Sequence, residues 1–134
     1  MKIDVIKKEV VKARRIFEQH HDYISKTYFG GFPTGSCGCS ADILAEYFIS
    51  KGAKNIEYVY GERDGGSHGW LELDGLIIDI TADQFEDGIE SIFISYNRDF
   101  HEQFSPLERN DKPGVNAVLR DPYNKFKALM EAHA

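Results

Sequence analysis

Apolar residues follow two rhythms along the chain. From Ile3 to Tyr28, the positions Ile3, Ile6, Val10, Ala13, Phe17, His20 and Ile24 recur at steps of three and four, which places them on one side of a helix. Gly30, Gly31, Pro33 and Gly35 then crowd the stretch Phe29 to Gly35 and predict a loop that ends this helix. Ser36 is a predicted N-cap. After it, Ala41, Ile43, Leu44, Ala45, Tyr47 and Phe48 return to helical spacing, and Lys51-Gly52 stops the second helix.

The period then changes to two. Asn55 to Tyr60 alternates, is rich in aromatic and branched residues, and reads as a strand ending at Gly61. In HGWLELDGLIIDIT, His68 to Thr81, the dipeptide Asp74-Gly75 is the preferred centre of a two-residue hairpin turn. That register sets Leu73 opposite Leu76, Glu72 opposite Ile77, Trp70 opposite Asp79 and His68 opposite Thr81. Gly69, Leu71, Leu73, Leu76, Ile78 and Ile80 then share the face predicted to meet the core. The other face carries His68, Trp70, Glu72, Ile77, Asp79 and Thr81, with His68 and Asp79 diagonal neighbours. Ile92 to Ser95 predicts a further strand, Asn97 to Pro113 a stretch that is mostly loop, and Val115 to Leu119 a short strand. Asp121-Pro122 reads as a cap and a first-turn proline, followed by a terminal helix marked by Phe126, Leu129, Met130 and His133. The predicted class is α+β: a Cys-bearing helix packed on an antiparallel sheet, with helices flanking it at the N- and C-terminal ends.

Composition narrows this picture. A chain of 134 residues, 42% of them hydrophobic, fits one core, and the expected organisation is a single domain over 1–134. With 22 acidic against 16 basic residues the formal net charge is −6, and the basic residues are scattered apart from pairs such as Lys7-Lys8 and Arg14-Arg15. That balance argues against nucleic acid as a partner. No apolar run approaches the length of a bilayer span, and the opening residues read as a polar amphipathic segment, not a signal peptide, so the expectation is a cytoplasmic protein with no membrane partner. Cys37 and Cys39, separated by one glycine, cannot close a relaxed disulfide and are expected to be free thiols.

Both cysteines fall in the first turn of the second predicted helix. A helix start aims unpaired N–H groups and a positive dipole end at a thiol, which favours the nucleophilic thiolate, and the same amides can receive an oxyanion. A histidine facing the thiol serves as base and then acid, and a carboxylate behind it fixes its orientation. The sequence supplies Cys37, His68 and Asp79 for these roles. Cys37 shares the more apolar helical stripe with Ala41, Leu44, Ala45 and Phe48, so it is favoured over Cys39 as the residue facing the hairpin.

A Cys at a helix start, then His68-Gly69-Trp70-Leu71-Glu72 on a strand, then Asp79-Ile80-Thr81, resembles the core of transglutaminase-like proteins, where His-Ala-Trp-x-Glu and Asp-x-Thr are common. The resemblance runs roughly from Gly35 to Phe85, and the wider fold is related to papain-like cysteine proteases and arylamine N-acetyltransferases. It implies that Cys37 or Cys39 is the nucleophile, His68 the base and Asp79 the orienting acid. The implied reaction takes the acyl group of an amide, ester or thioester through an acyl-enzyme to water or an amine. The substrate would be a protein, a peptide or a small molecule, with no prosthetic group.

The chain departs from the family in ways that bear on mechanism. Gly38 and Ser40 follow the two thiols where crosslinking transglutaminases have Trp, and Gly31, Phe32 and Pro33 stand where papain-like proteases carry the oxyanion-hole Gln. Tyr28, Ser36 and Gln84 are the candidates for the missing donor. Trp70 is expected to pack beside the site and Glu72 to be a solvated or rim carboxylate, while His101 and His133 suggest no role. Cys37, Cys39, His68 and Asp79 also form a possible zinc set, but a Cys-x-Cys pair lacks the usual spacer, and no metal is expected. The competing class is a catalytically inactive module of the same fold that binds a peptide or protein.

Overall fold

A computed structural model describes residues 1–133. Three helices and five strands follow one another in the order α1 (Ile3–Phe29), α2 (Cys37–Ser50), β1 (Ile56–Arg63), β2 (Gly66–Leu73), β3 (Leu76–Asp79), β4 (Phe93–Ser95), β5 (Glu108–Asn110) and α3 (Arg120–Ala132). The class is α+β, and the strands form one antiparallel sheet in the order β4-β3-β2-β1-β5.

The helical period of α1 is realised in burial: Ile6, Val10, Ala13, Phe17 and Ile24 are all buried, whereas Ile3 at the first turn is exposed. The helix is interrupted at Ser25, whose backbone is extended and whose Oγ accepts the N–H of Tyr28 at 3.2 Å. Ser25 thereby caps the last turn, as a serine does at a helix start. Arg14, read from sequence as one of a scattered basic pair, is 5% exposed. Its guanidinium donates to Asp83 at 2.9 and 2.8 Å and to the Ile80 carbonyl, tying α1 to the segment that leaves β3.

The hairpin has the predicted register, with Leu73 opposite Leu76, Glu72 opposite Ile77 and Leu71 opposite Ile78. Asp74 and Gly75 both take positive φ, as their turn requires. Leu71, Leu73, Leu76, Ile78 and Ile80 join the main core with α1, α2 and α3. The opposite face differs from the expectation of one core: Val59, Trp70, Ile77 and Ala82 pack there against Phe100 and Phe104, forming a second core. The stretch expected to be mostly loop supplies that cover through a 3-10 turn at His101–Gln103, and it also contains β5, which pairs with β1. Gly61 makes the cover possible, because a Cβ there would lie 2.8 Å from the Phe104 Cβ.

Two further expectations are corrected. Val115 to Leu119 forms no strand, because Asn116 Oδ1 accepts the Leu119 N–H at 3.1 Å and Glu46 accepts that of Val115, which turns the segment into the entry to α3. Leu119, not Asp121, is the N-cap of α3; Asp121 and Pro122 lie inside the first turn, where the carboxylate meets the positive helix end and the missing proline N–H costs nothing. Among the described residues no helix is long and apolar enough to cross a membrane.

Candidate active site

The site forms where α2 begins beside the hairpin. Ser36 holds the N-cap position, but its hydroxyl donates backwards to the Pro33 carbonyl at 3.1 Å and makes no capping bond. The first N–H groups of α2 are therefore left for another partner. Cys37 and Cys39, both free and half-buried, occupy this turn. The pairing of β2 with β3 runs no further than Leu71 opposite Ile78, so β2 has no ladder partner on that side at Gly69. The Gly69 N–H there, together with that of Gly38, favours the ionised Cys37 sulfur.

His68 stands one residue before Gly69 and is fully buried, with ring centroids of Trp70, Phe85 and Phe104 at 5.7, 5.2 and 5.6 Å. Its Nε2 lies 2.7 Å from Asp79 Oδ2. Asp79 Oδ1 accepts the Thr81 N–H at 3.0 Å, so the carboxylate is fixed at both oxygens. Nδ1 is the other ring nitrogen, which the Gln84 amide approaches at 3.3 Å while also donating to the Thr81 carbonyl at 3.0 Å, and Cys37 is near enough to raise the pKa of the ring. The structure thus brings together Cys37, His68 and Asp79, and Gln84, named from sequence as a candidate donor, lies against the same imidazole from the short turn after Thr81.

Electrostatics follow from these contacts. Burial pushes the Cys37 thiol up, but the hydrogen bond and charge of His68 and the two backbone N–H groups outweigh it, and the net shift is downward. Burial works against the charged form of His68 too, yet Asp79 and Cys37 raise its pKa to about 9. Asp79 feels the strongest burial, which would raise it, and its histidine partners hold it well below the usual carboxylate range. An ionised carboxylate only accepts, so the Nε2 of His68 carries the hydrogen that meets Asp79. Cys39 shifts the other way: burial and the charges of Asp42 and Cys37 raise it, and it packs against the main core. The two thiols of one turn are thereby set apart, one toward the thiolate and one toward the thiol.

Several residues stand differently from their sequence reading. His101, given no role, is buried and places Nε2 2.7 Å from the same Asp79 Oδ2 that holds His68. A histidine flanked by phenylalanine, within Phe100 to Phe104, is the one signal of burial the sequence offered. Glu72, expected on a solvated rim, is 3% exposed and accepts from Trp70 at 3.2 Å, Arg98 at 2.9 Å and Arg109 at 3.0 Å. Tyr28 and Ser36, named as possible oxyanion donors, make no contact with the Cys37 sulfur among those that shift its pKa. Tyr58, read from sequence only as a strand residue, brings its hydroxyl close to Gly69 and Gly38.

The donor set that fits a metal is His68, Asp79 and His101, whose ligand atoms lie within 4.8 Å of one another; neither cysteine belongs to it. Both imidazole Nε2 atoms are spent on one carboxylate oxygen at hydrogen-bond distance, which requires protons where a metal would need lone pairs. The arrangement is a hydrogen-bonded relay. Comparison with protein-family models, with curated proteins and with solved structures finds no match for the chain.

Proposed function

We propose that this protein is a thiol-dependent hydrolase or acyltransferase with a transglutaminase-like core, acting on an amide, ester or thioester through an acyl-enzyme on Cys37. The observation that carries the reading is the relay itself: a thiol at a helix start, with lowered pKa, faces an imidazole that a buried carboxylate holds at 2.7 Å. The Cys37 thiolate, its proton already on His68 Nδ1, attacks the carbonyl carbon, and His68 gives that proton to the leaving group when the tetrahedral intermediate collapses. Water or an amine then attacks the thioester, with the neutral His68 as base. Asp79 keeps the proton of Nε2 in place and offsets the charge on the imidazolium.

Activity requires the thiolate together with the imidazolium, so it rises through the lowered thiol pKa and falls as pH passes the His68 value of about 9. The void beside Cys37, bordered by Leu44, Gly69, Trp70 and Thr81, is only about 10 Å³, about the room one water needs. The substrate proposed is the acyl end of a peptide, protein or small molecule. Two unbridged thiols in one turn fit a reducing, cytoplasmic setting.

The test is covalent capture: incubation with an activated ester, such as p-nitrophenyl acetate, followed by intact and peptide mass spectrometry. The reading expects an acyl adduct on Cys37, absent from Cys37→Ala and strongly slowed in His68→Ala. No adduct under conditions where Cys37 is readily alkylated would favour the inactive binding module.

A further inference from the structure

The oxyanion left by attack at Cys37 needs a second donor beyond the amides at the start of α2: the Ser36 hydroxyl is spent on the Pro33 carbonyl, and the Gln84 amide on the Thr81 carbonyl and His68 Nδ1. Tyr58 lies on β1, opposite Leu71 of β2 and two residues from the partner of Gly69. Its hydroxyl reaches over the β2 backbone into the space beside the thiol. A Cβ built on Gly69 would be 2.0 Å from the Tyr58 Oη, and one on Gly38 would be 3.4 Å from it. The phenol oxygen therefore sits between the two residues whose N–H groups meet the Cys37 sulfur. Only glycine at position 69 leaves room for it.

The Tyr58 hydroxyl makes none of the side-chain hydrogen bonds found among the described residues, so its proton is free for a ligand. Burial, and after it the negative charges of Cys37 and Asp42, push its pKa up. It remains an O–H donor at every pH at which the thiolate and imidazolium coexist.

We propose that Tyr58 is the side-chain donor of the oxyanion hole, holding the substrate's carbonyl oxygen jointly with the free N–H groups at the start of α2. This rests on the acyl-transfer reading above. In the step itself the Cys37 thiolate, whose proton rests on His68 Nδ1, forms the S–C bond, and the carbonyl π pair moves to oxygen, where the Tyr58 O–H meets it. Collapse returns the pair, breaks the bond to the leaving group, and sends the His68 proton out with that group. Tyr58 keeps its own proton throughout.

Two reagents separate this role from any effect on the thiol. Iodoacetamide alkylates by displacement at a saturated carbon and forms no oxyanion, whereas p-nitrophenyl acetate acylates through one. In Tyr58→Phe, acylation of Cys37 should slow at least about tenfold, while alkylation stays within about twofold of the wild type, as the thiolate is unaltered. Gly69→Ala should give the same split, because its methyl group displaces the phenol. Thermal unfolding of both variants shows that the fold persists. A Tyr58→Phe protein that acylates as fast as the wild type overturns the donor role alone, and so does a parallel fall in both rates. A wild type that alkylates yet never acylates overturns the acyl-transfer reading and this one with it.

Discussion

His101 and His68 bond to a single oxygen of Asp79, each through Nε2 and each at 2.7 Å. The carboxylate that holds the His68 imidazole is thus shared, and the second histidine is buried in the aromatic layer with its Nδ1 unpartnered among the described residues. Sharing dilutes the negative charge that Asp79 presents to His68. His101→Ala is expected to strengthen the remaining Asp79 to His68 bond and to move the alkaline limb of acylation upward, by about half a pH unit or more. His101→Gln, which can restore a donor to Oδ2, should return the limb toward the wild type. The pH dependence of ester acylation in the three proteins checks this; an alkaline limb that stays fixed in His101→Ala contradicts it.

Arg14 holds the segment that leaves β3 just after Asp79. It is the buried cation that satisfies the Ile80 carbonyl, next in the chain after Asp79, and it grips Asp83 with two N–H groups. Arg14→Met leaves a buried carbonyl without its donor and should cost about 2–4 kcal/mol in urea unfolding. Arg14→Lys cannot make the paired bonds and should recover only part of the loss.

Glu72 is held by Trp70, Arg98 and Arg109 on the covered face of the sheet. Burial alone would raise its pKa, but these donors bring it below its ordinary value of 4.5. A carboxylate whose pKa is lower in the folded chain contributes stability above the unfolded value and loses it as pH falls through the folded one. Glu72→Gln should therefore destabilise by about 1–3 kcal/mol near neutral pH, and the gap to the wild type should narrow steadily below pH 4.5. Urea melts at a series of pH values measure the convergence.

Much of this arrangement was legible in the chain because it rests on local rules. The Asp74-Gly75 turn fixed the hairpin register, and the register alone put His68 and Asp79 on one face. Helical spacing placed Cys37 at the mouth of α2. What escaped depends on contacts between segments far apart in sequence. His101 approaches Asp79 across 22 positions, and Arg109 approaches Glu72 across 37; neither separation has a period to reveal it. Position 36 shows a milder failure, since serine does stand at the N-cap but spends its hydroxyl on Pro33. Tyr58 alternates correctly as a strand residue, and only the missing side chain at Gly69 shows where its hydroxyl goes.

The central claim is that the imidazole of His68 activates the Cys37 thiol, and the labelling rate of each cysteine between about pH 5 and 9 tests it most directly. Iodoacetamide labelling with peptide mass spectrometry separates Cys37 from Cys39 in the wild type and in His68→Ala. Cys37 should label well below the pH at which an ordinary thiol ionises, and Cys39 only above it, in keeping with their opposite shifts. In His68→Ala the Cys37 profile should move up toward that of Cys39. Profiles that coincide for the two thiols in the wild type, and do not change in His68→Ala, would contradict the account.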